Sequence, residues 1–150
     1  MSASQSLIPF DADLPLVTLT TDGGCVPNPG RGGWAFVLRF GSAYKEVSGR
    51  VEQTTNNRME LLAVIRGLEA LKRPCAVLVR TDSEMCRHLL NGTGKKPHKR
   101  ANQDLVGQVV NLMQLHKVKA IWLRGHSGDV DNERCDELAR QAISPAGVFD

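Results

Sequence analysis

The order of the predicted strands and helices constrains the fold of this chain more than any other feature. Three segments typical of strands come first, at Leu16–Asp22, Trp34–Phe40 and Tyr44–Val51. From Asn56 the apolar residues follow helical spacing, and helices then alternate with two short strands. Strands linked by short turns form an antiparallel meander, whereas strands joined through a helix run parallel. The sequence therefore predicts an α/β fold: a five-stranded mixed sheet, three antiparallel strands then two parallel ones, flanked by helices.

The remaining elements complete this pattern. We expect helices at Asn56–Lys72, Ser83–Leu90, Ala101–His116 and Asn132–Ile143, strands at Ala76–Thr81 and Lys119–Leu123, and loops at Gly23–Gly33 and Gly92–Lys99. A length of 150 residues suits one domain with one core. We predict that this domain spans residues 15–143, between flexible tails at 1–14 and 144–150.

The composition argues against several classes of protein. With 41% hydrophobic and 23% charged residues, the chain is ordinary for a globular protein, and no apolar run approaches the roughly 18 residues of a membrane span. No Lys or Arg precedes Arg31, so the start does not look like a secretory signal. The four cysteines are scattered, without the close spacing of a zinc or redox pair. We therefore expect a cytoplasmic monomer with reduced thiols and no membrane partner.

Positive charge is concentrated in one segment. The net charge of +3 permits a polyanionic partner without requiring one. Lys95–Arg100 forms a dense basic block between predicted helices. Such a block is most often a solvated loop, and contact with phosphates is the alternative.

Two aspartates end predicted strands in similar surroundings. Asp22 lies in TDG after the first strand, and Asp82 lies in TDS after the fourth. Aspartate is common in turns and caps, which explains either residue taken alone. If the two strands are parallel neighbours, however, both carboxylates emerge at the edge where open α/β sheets bind ligands. Adjacent carboxylates repel each other unless a cation lies between them, so the pair indicates a cation site.

Glu60 occupies an unusual position on its predicted helix. It shares an apolar stripe with Val64, Gly67 and Leu71, and that stripe should face the sheet. The helix dipole favours an acid near the helix start, which leaves a structural interpretation open. A buried unpaired carboxylate is expensive, and a metal ion would compensate it. Gly67 suits a close approach of the helix to the sheet, although a tolerated glycine costs only about 1 kcal/mol relative to alanine.

Asp136 and His126 are further candidate site residues. Asp136 is predicted in the first turn or so of the last helix, where acids are common for dipole reasons. A set of Asp and Glu oxygens suits hard cations, magnesium above all. His126 lies in a glycine-flanked loop, either as an ordinary surface histidine or as a proton shuttle near neutral pH. No zinc-type His/Cys cluster and no nucleophile elbow is evident.

Four ordered blocks of sequence resemble ribonuclease H type 1, from about Leu16 to Ala142. The blocks are TDGGCVPNPGRGGWA, TTNNRMELLAVIRGLEAL, TDS and GHSGDVDNERCDELA, and each contains one of the four acids. The resemblance implies the ribonuclease H-like fold. It also implies an endonuclease that hydrolyses the RNA strand of RNA–DNA hybrids, largely independent of base sequence, and leaves 5′-phosphate and 3′-hydroxyl ends.

The resemblance also implies roles for individual residues. Two Mg²⁺ ions, with Mn²⁺ as an alternative, would be bound by Asp22, Glu60, Asp82 and Asp136. His126 would assist proton transfer or product departure. Contacts with the hybrid are expected from Asn28, Thr55, Asn56 and Arg58. The chain departs from longer members in one respect: Leu89–Gln103 is short and has no aromatic residue, so a full basic protrusion is missing.

Three other hypotheses remain open at this stage. A DNA-cutting nuclease of the same general fold would also place acids at strand ends, but it leaves the NNRME and GHSG segments unexplained. A hybrid-binding module without activity would be expected to lack one of the acids and to carry a stronger basic or aromatic surface. A structural protein with capping acids leaves the stripe position of Glu60 unexplained.

Overall fold

The computed structural model describes residues 13–93, 101–125 and 127–144. Its elements, in chain order, are β1 (Leu16–Cys25), β2 (Gly30–Phe40), β3 (Ala43–Thr54), α1 (Asn56–Glu69), β4 (Ala76–Thr81), α2 (Glu84–Asn91), α3 (Gln103–Met113), β5 (Lys117–Trp122) and α4 (Val130–Ile143). Most of the predicted tails, residues 1–14 and 144–150, lie outside the described residues. No helix among the described residues is long and apolar enough to cross a membrane.

The five strands form one mixed sheet in the order β3-β2-β1-β4-β5. The pairs β1–β2 and β2–β3 are antiparallel, and the pairs β1–β4 and β4–β5 are parallel. This confirms the predicted mixed sheet of three antiparallel and two parallel strands. Thr21 pairs with Thr81 across β1 and β4, so the residues that follow them, Asp22 and Asp82, leave the sheet at the same edge.

Alternating residues of β1 contact different helices on the two faces of the sheet. Leu19 is fully buried in the larger core, with the apolar face of α1. On the other face, Cys135 of α4 packs in a smaller core, and its thiol donates to the carbonyl of Thr20 at 3.3 Å. The strand that carries Asp22 is therefore fixed from both sides by buried contacts. All four cysteines are free and buried, as expected for reduced thiols.

The predicted loop at Gly23–Gly33 is wrong over most of its length. β1 continues through Cys25, and β2 begins at Gly30, so the connection is only residues 26–29. The ladder includes the pairs Gly24↔Gly33 and Cys25↔Gly32. Glycine weakens a strand without preventing its hydrogen bonds, whereas proline cannot donate one, and both prolines fall in the short connection.

The bounds of all four helices differ from the predicted ones by one to three residues at one or both ends, and α3 spans Gln103–Met113 rather than Ala101–His116. Helix α1 ends at Glu69 rather than at Lys72. Helix α4 begins at Val130, because Asp129 caps it by accepting a hydrogen bond from the Asn132 amide at 2.9 Å. Asp136 consequently lies in the second turn and not in the first. Asp129 also pairs with Arg80 of β4, so the start of α4 is fastened to the sheet.

Polar contacts fasten the end of α2 to β5. The Asn91 side chain accepts from the Ala120 amide at 2.7 Å and donates to the Ala120 carbonyl at 2.9 Å. Gly92 then ends the helix in the left-handed conformation, with φ of 66°. The position of this helix end is thus set by the sheet.

Close packing of α1 on the sheet can be tested at Gly67. A Cβ added there would lie 2.4 Å from Cδ1 of Leu19, which is fully buried. We predict that Gly67→Ala lowers the free energy of unfolding by about 1–3 kcal/mol, because the clash outweighs the better helix propensity of alanine. Urea denaturation measures the change.

Gly107 of α3 is the matched control. A Cβ there meets nothing within 4 Å. We expect Gly107→Ala to raise stability by about 0.5–1 kcal/mol. Equal stabilisation by both substitutions would contradict the close packing of α1.

Candidate active site

Three carboxylates meet at the edge of the sheet where β1 and β4 end. Ligand oxygens of Asp22, Glu60 and Asp82 all lie within 4.8 Å of one another. Asp22 belongs to β1, Asp82 follows β4, and Glu60 is on the second turn of α1. The pairing of Asp22 and Asp82 follows from the parallel register, and Glu60 is brought to them by the helix.

Gly23 explains how Glu60 reaches the strand. A Cβ at Gly23 would lie 2.5 Å from the carbonyl carbon of Met59 and 2.9 Å from the amide nitrogen of Glu60. Only glycine permits this contact between the backbones of β1 and α1. Glycine is typical of loops, and Gly23 was predicted in one, so this role was not predicted.

The cluster is electrostatically unfavourable without a cation. Burial and the neighbouring charge of Asp82 raise the pKa of Asp22 to about 7. Burial, with the charges of Asp22 and Asp82, raises the pKa of Glu60 well above its usual range. Oε1 of Glu60 is buried and has no hydrogen-bond partner within the described part of the chain. An unpartnered buried oxygen beside two other carboxylates is a fitting ligand for a cation.

Asp136 lies beside this cluster rather than within it. Its charge is a smaller cause of the raised pKa of Asp22, after burial and the charge of Asp82. Its Oδ2 accepts from Nε of Arg140, one turn further along α4, at 3.0 Å. Of the four predicted metal ligands, three are therefore in mutual contact range, and the fourth approaches from the opposite face of the sheet.

Three of the predicted substrate-binding residues connect the β1–β2 turn to the start of α1. Oδ1 of Asn28 accepts from the Asn56 amide at 3.1 Å, and Oδ1 of Asn56 accepts from the Cys25 amide at 2.7 Å. Thr55 caps α1 and accepts from the Arg58 amide at 3.3 Å. Asn28 and Asn56 are exposed. Their contact with a hybrid stays a prediction, and their present hydrogen bonds order the surface on which it would occur.

Arg58 contacts another helix. Its guanidinium forms two hydrogen bonds with the carboxylate of Asp104, at 2.9 and 2.7 Å, and a third with Asn102 at 3.4 Å. The pair holds the pKa of Asp104 at about 2. Arg58 thus fastens the start of α3 to the start of α1, and its proposed contact with substrate stays a prediction.

Two of the predicted features lie outside the described residues. These are His126 and the whole basic block Lys95–Arg100. The neighbours that sequence analysis missed are Trp122, whose indole contacts Asp82, and Arg140, which pairs with Asp136. The i, i+4 spacing of Asp136 and Arg140 could have indicated their contact. No local pattern indicates that of Trp122, because its partner lies 40 residues earlier in the chain.

Comparison with known families decides the class of protein. The model of the RNase H family matches residues 15–144. The chain belongs to the ribonuclease H family. It is accordingly a nuclease, and the hypotheses of an inactive binding module and of a structural protein no longer apply.

Individual relatives agree with this assignment. A ribonuclease H of Acidiphilium cryptum is 49% identical over 137 residues, covering 85% of this chain and 86% of that protein. A ribonuclease H of Nitratidesulfovibrio vulgaris is 47% identical over 145 residues, with 88% and 92% covered. Among solved structures, LC11-RNase H1 in complex with an RNA/DNA hybrid has a TM-score of 0.74 at 26% identity, covering 85% of this chain and 96% of that one.

The repulsion within the cluster predicts an unusual pH dependence of stability. The pKa of Asp22 is raised from 3.8 to about 7 on folding, so the folded protein binds the proton more tightly than the unfolded chain. The metal-free protein should therefore become more stable as the pH falls from about 7 towards 4. Asp22→Asn should be more stable than wild type at pH 8 by roughly 2–4 kcal/mol, and this advantage should shrink towards pH 4.

Urea denaturation in EDTA across this pH range measures the effect. Asparagine keeps the oxygen that accepts from the Gly23 amide, so the comparison isolates the charge. A wild type that loses stability between pH 7 and pH 5, or a variant that is less stable at pH 8, would contradict the assigned repulsion.

Proposed function

We propose that this ribonuclease H hydrolyses the RNA strand of RNA–DNA hybrids with two Mg²⁺ ions bound by Asp22, Glu60, Asp82 and Asp136. The observation that carries the proposal is the cluster of three carboxylates within 4.8 Å, with a buried Glu60 oxygen that lacks a partner among the described residues. The solved complex of LC11-RNase H1 with an RNA/DNA hybrid supports the substrate class.

The four carboxylates suit divalent cations by charge and by donor type. Hard oxygen donors favour Mg²⁺, with Mn²⁺ as the alternative. When bound, two such ions would make water more acidic as a nucleophile and would stabilise negative charge on the leaving 3′ oxygen. The charges of four carboxylates balance those of two divalent ions. Attraction between the carboxylates and the ions would then outweigh the repulsion that raises the pKa of Asp22. The products would carry 5′-phosphate and 3′-hydroxyl ends.

Recognition of the hybrid is proposed for the surface formed by the β1–β2 connection and the start of α1. Asn28, Thr55, Asn56 and Arg58 lie there, and exposed amide groups can bind sugar hydroxyls and phosphates. The 2′-hydroxyl distinguishes RNA from DNA at such a surface. Because these groups contact the backbone and not the base edges, cleavage should depend little on base sequence. We propose that the enzyme works as a monomer in the cytoplasm.

Substitution of single cluster carboxylates tests the proposal. We expect Asp22→Asn and Asp82→Asn to abolish measurable cleavage of a labelled hybrid in Mg²⁺, because each removes a ligand charge. Glu52→Gln is the control, since Glu52 is 65% exposed and pairs only with Arg31 and Arg50 in the described ion pairs. Duplex DNA of the same sequence is assayed in parallel. Near-normal turnover in either aspartate variant, or preferential cutting of duplex DNA, would refute the proposal.

The role of His126 requires a separate experiment. We propose that His126 assists proton transfer or product departure, which is a smaller contribution than that of the metal ligands. His126→Ala should reduce kcat by about 10²–10⁴-fold while KM for the hybrid and Mg²⁺ binding stay close to wild type. Steady-state kinetics with and without added imidazole measure this. Full activity, or inactivity equal to that of Asp22→Asn, would exclude the role.

A further inference from the structure

The end of β5 and the residues that follow it lie beside Asp82 and the residue before it. Nε1 of Trp122 donates a hydrogen bond to the Asp82 carbonyl at 3.2 Å. The amide of Leu123 donates to the Thr81 carbonyl at 2.7 Å. A Cβ built on Gly125 would lie 3.3 Å from Oδ2 of Asp82, so the Gly125 backbone borders the carboxylate itself. This segment therefore bonds the backbone of one cluster residue, through Trp122, and leaves little space beside its carboxylate, at Gly125.

Trp122 contacts Asp82 at the end of the β4–β5 ladder. The β4–β5 ladder ends with the pair Thr81↔Trp122, and Asp82 is the next residue. The carbonyl of Asp82 accepts a hydrogen bond from the indole of Trp122. The Asp82 carbonyl is bonded to the Cα that carries the carboxylate, so a donor at this position restricts the backbone from which a cluster side chain extends.

Packing alone gives little reason for a tryptophan at this position. Trp122 is 43% exposed, whereas the second tryptophan, Trp34, is 9% exposed and stacks on Phe36. A half-exposed aromatic ring gains only part of the free energy of burial. Its specific contribution is the N–H donor, which phenylalanine or leucine lacks.

We propose that Trp122 is a positioning residue for the metal-binding carboxylate of Asp82. The indole N–H fixes the Asp82 peptide, and the Gly125 backbone limits the carboxylate from the side. This inference rests on the proposed function, because it takes the cluster to be a cation site. Groups that orient metal ligands tune the affinity for the metal, so loss of the donor should weaken binding of Mg²⁺ more than binding of substrate.

Binding of Mg²⁺ without substrate is the direct test. The unfolding temperature of each variant is measured at pH 8 against increasing Mg²⁺, which gives the Mg²⁺ midpoint. Trp122→Phe keeps an aromatic ring and removes the donor. We expect its midpoint to rise about three- to tenfold, the effect of one lost hydrogen bond. The Mg²⁺ needed for half-maximal cleavage should shift by the same factor, with KM for the hybrid unchanged at saturating Mg²⁺.

Two further variants separate positioning from general damage. Tyr44→Phe is the matched control: Tyr44 is 45% exposed, lies near the opposite end of the sheet and loses one hydrogen bond, to Glu46. Its Mg²⁺ midpoint should equal that of wild type. Gly125→Ala leaves the indole intact and places a methyl group against Oδ2 of Asp82, so it should raise the midpoint independently.

The outcomes distinguish this inference from the proposed function. If Trp122→Phe loses stability in EDTA but keeps the wild-type Mg²⁺ midpoint, Trp122 has only a structural role, and the inference is overturned. If Trp122→Phe does not fold, the Gly125→Ala midpoint decides, and a wild-type value there overturns the inference. A wild type that binds Mg²⁺ but does not cut the hybrid refutes the proposed function, while the midpoints still test positioning.

Discussion

Repulsion among buried carboxylates is the constraint on which the rest of the structure depends. Asp22, Glu60 and Asp82 lie within 4.8 Å of one another, and burial with mutual repulsion raises the pKa values of Asp22 and Glu60. Such an arrangement costs free energy in the absence of a cation, and the fold must hold it against that cost. It does so by carrying the three acids on elements that are fixed by other contacts, with β1 at the centre of the sheet between α1 and α4.

Close contacts between α1 and β1 fix the position of Glu60 relative to the other two carboxylates. Gly23 allows α1 to touch the end of β1, and Gly67 allows the same helix to rest on Leu19 two turns later. With two points of close approach, the helix axis cannot shift without a clash on one side or a gap on the other. The packing of α1 on the sheet therefore determines where the Glu60 side chain lies.

The sequence predicted the mixed sheet well because its elements depend on local and periodic signals. The succession of strands and helices along the chain and the change to helical period at Asn56 follow from residues that are close together in the chain. The Asp22/Asp82 pair needed a further assumption, that their two strands are parallel neighbours, and the sheet has this arrangement. The extent of β1 and β2 did not follow, because glycine is typical of loops and its role at Gly23 depends on a helix more than 30 residues away. The second-turn position of Asp136 depends on Asp129, which caps α4 and pairs with Arg80. The partners of Arg58 and Trp122 are likewise distant in sequence, and no local pattern marks them.

The contacts that hold α2 and α3 in place determine how the fold tolerates inserted residues between these two helices. Asn91 clamps the end of α2 to β5, and Arg58 clamps the start of α3 to α1, each through contacts within the described fold. Neither of these two contacts involves a residue of the segment 94–100, which connects α2 to α3. Loop-closure entropy grows only slowly with length, so inserted residues there should be cheap in stability. A longer or more basic arm could therefore be grafted between α2 and α3 without changing the contacts that hold either helix.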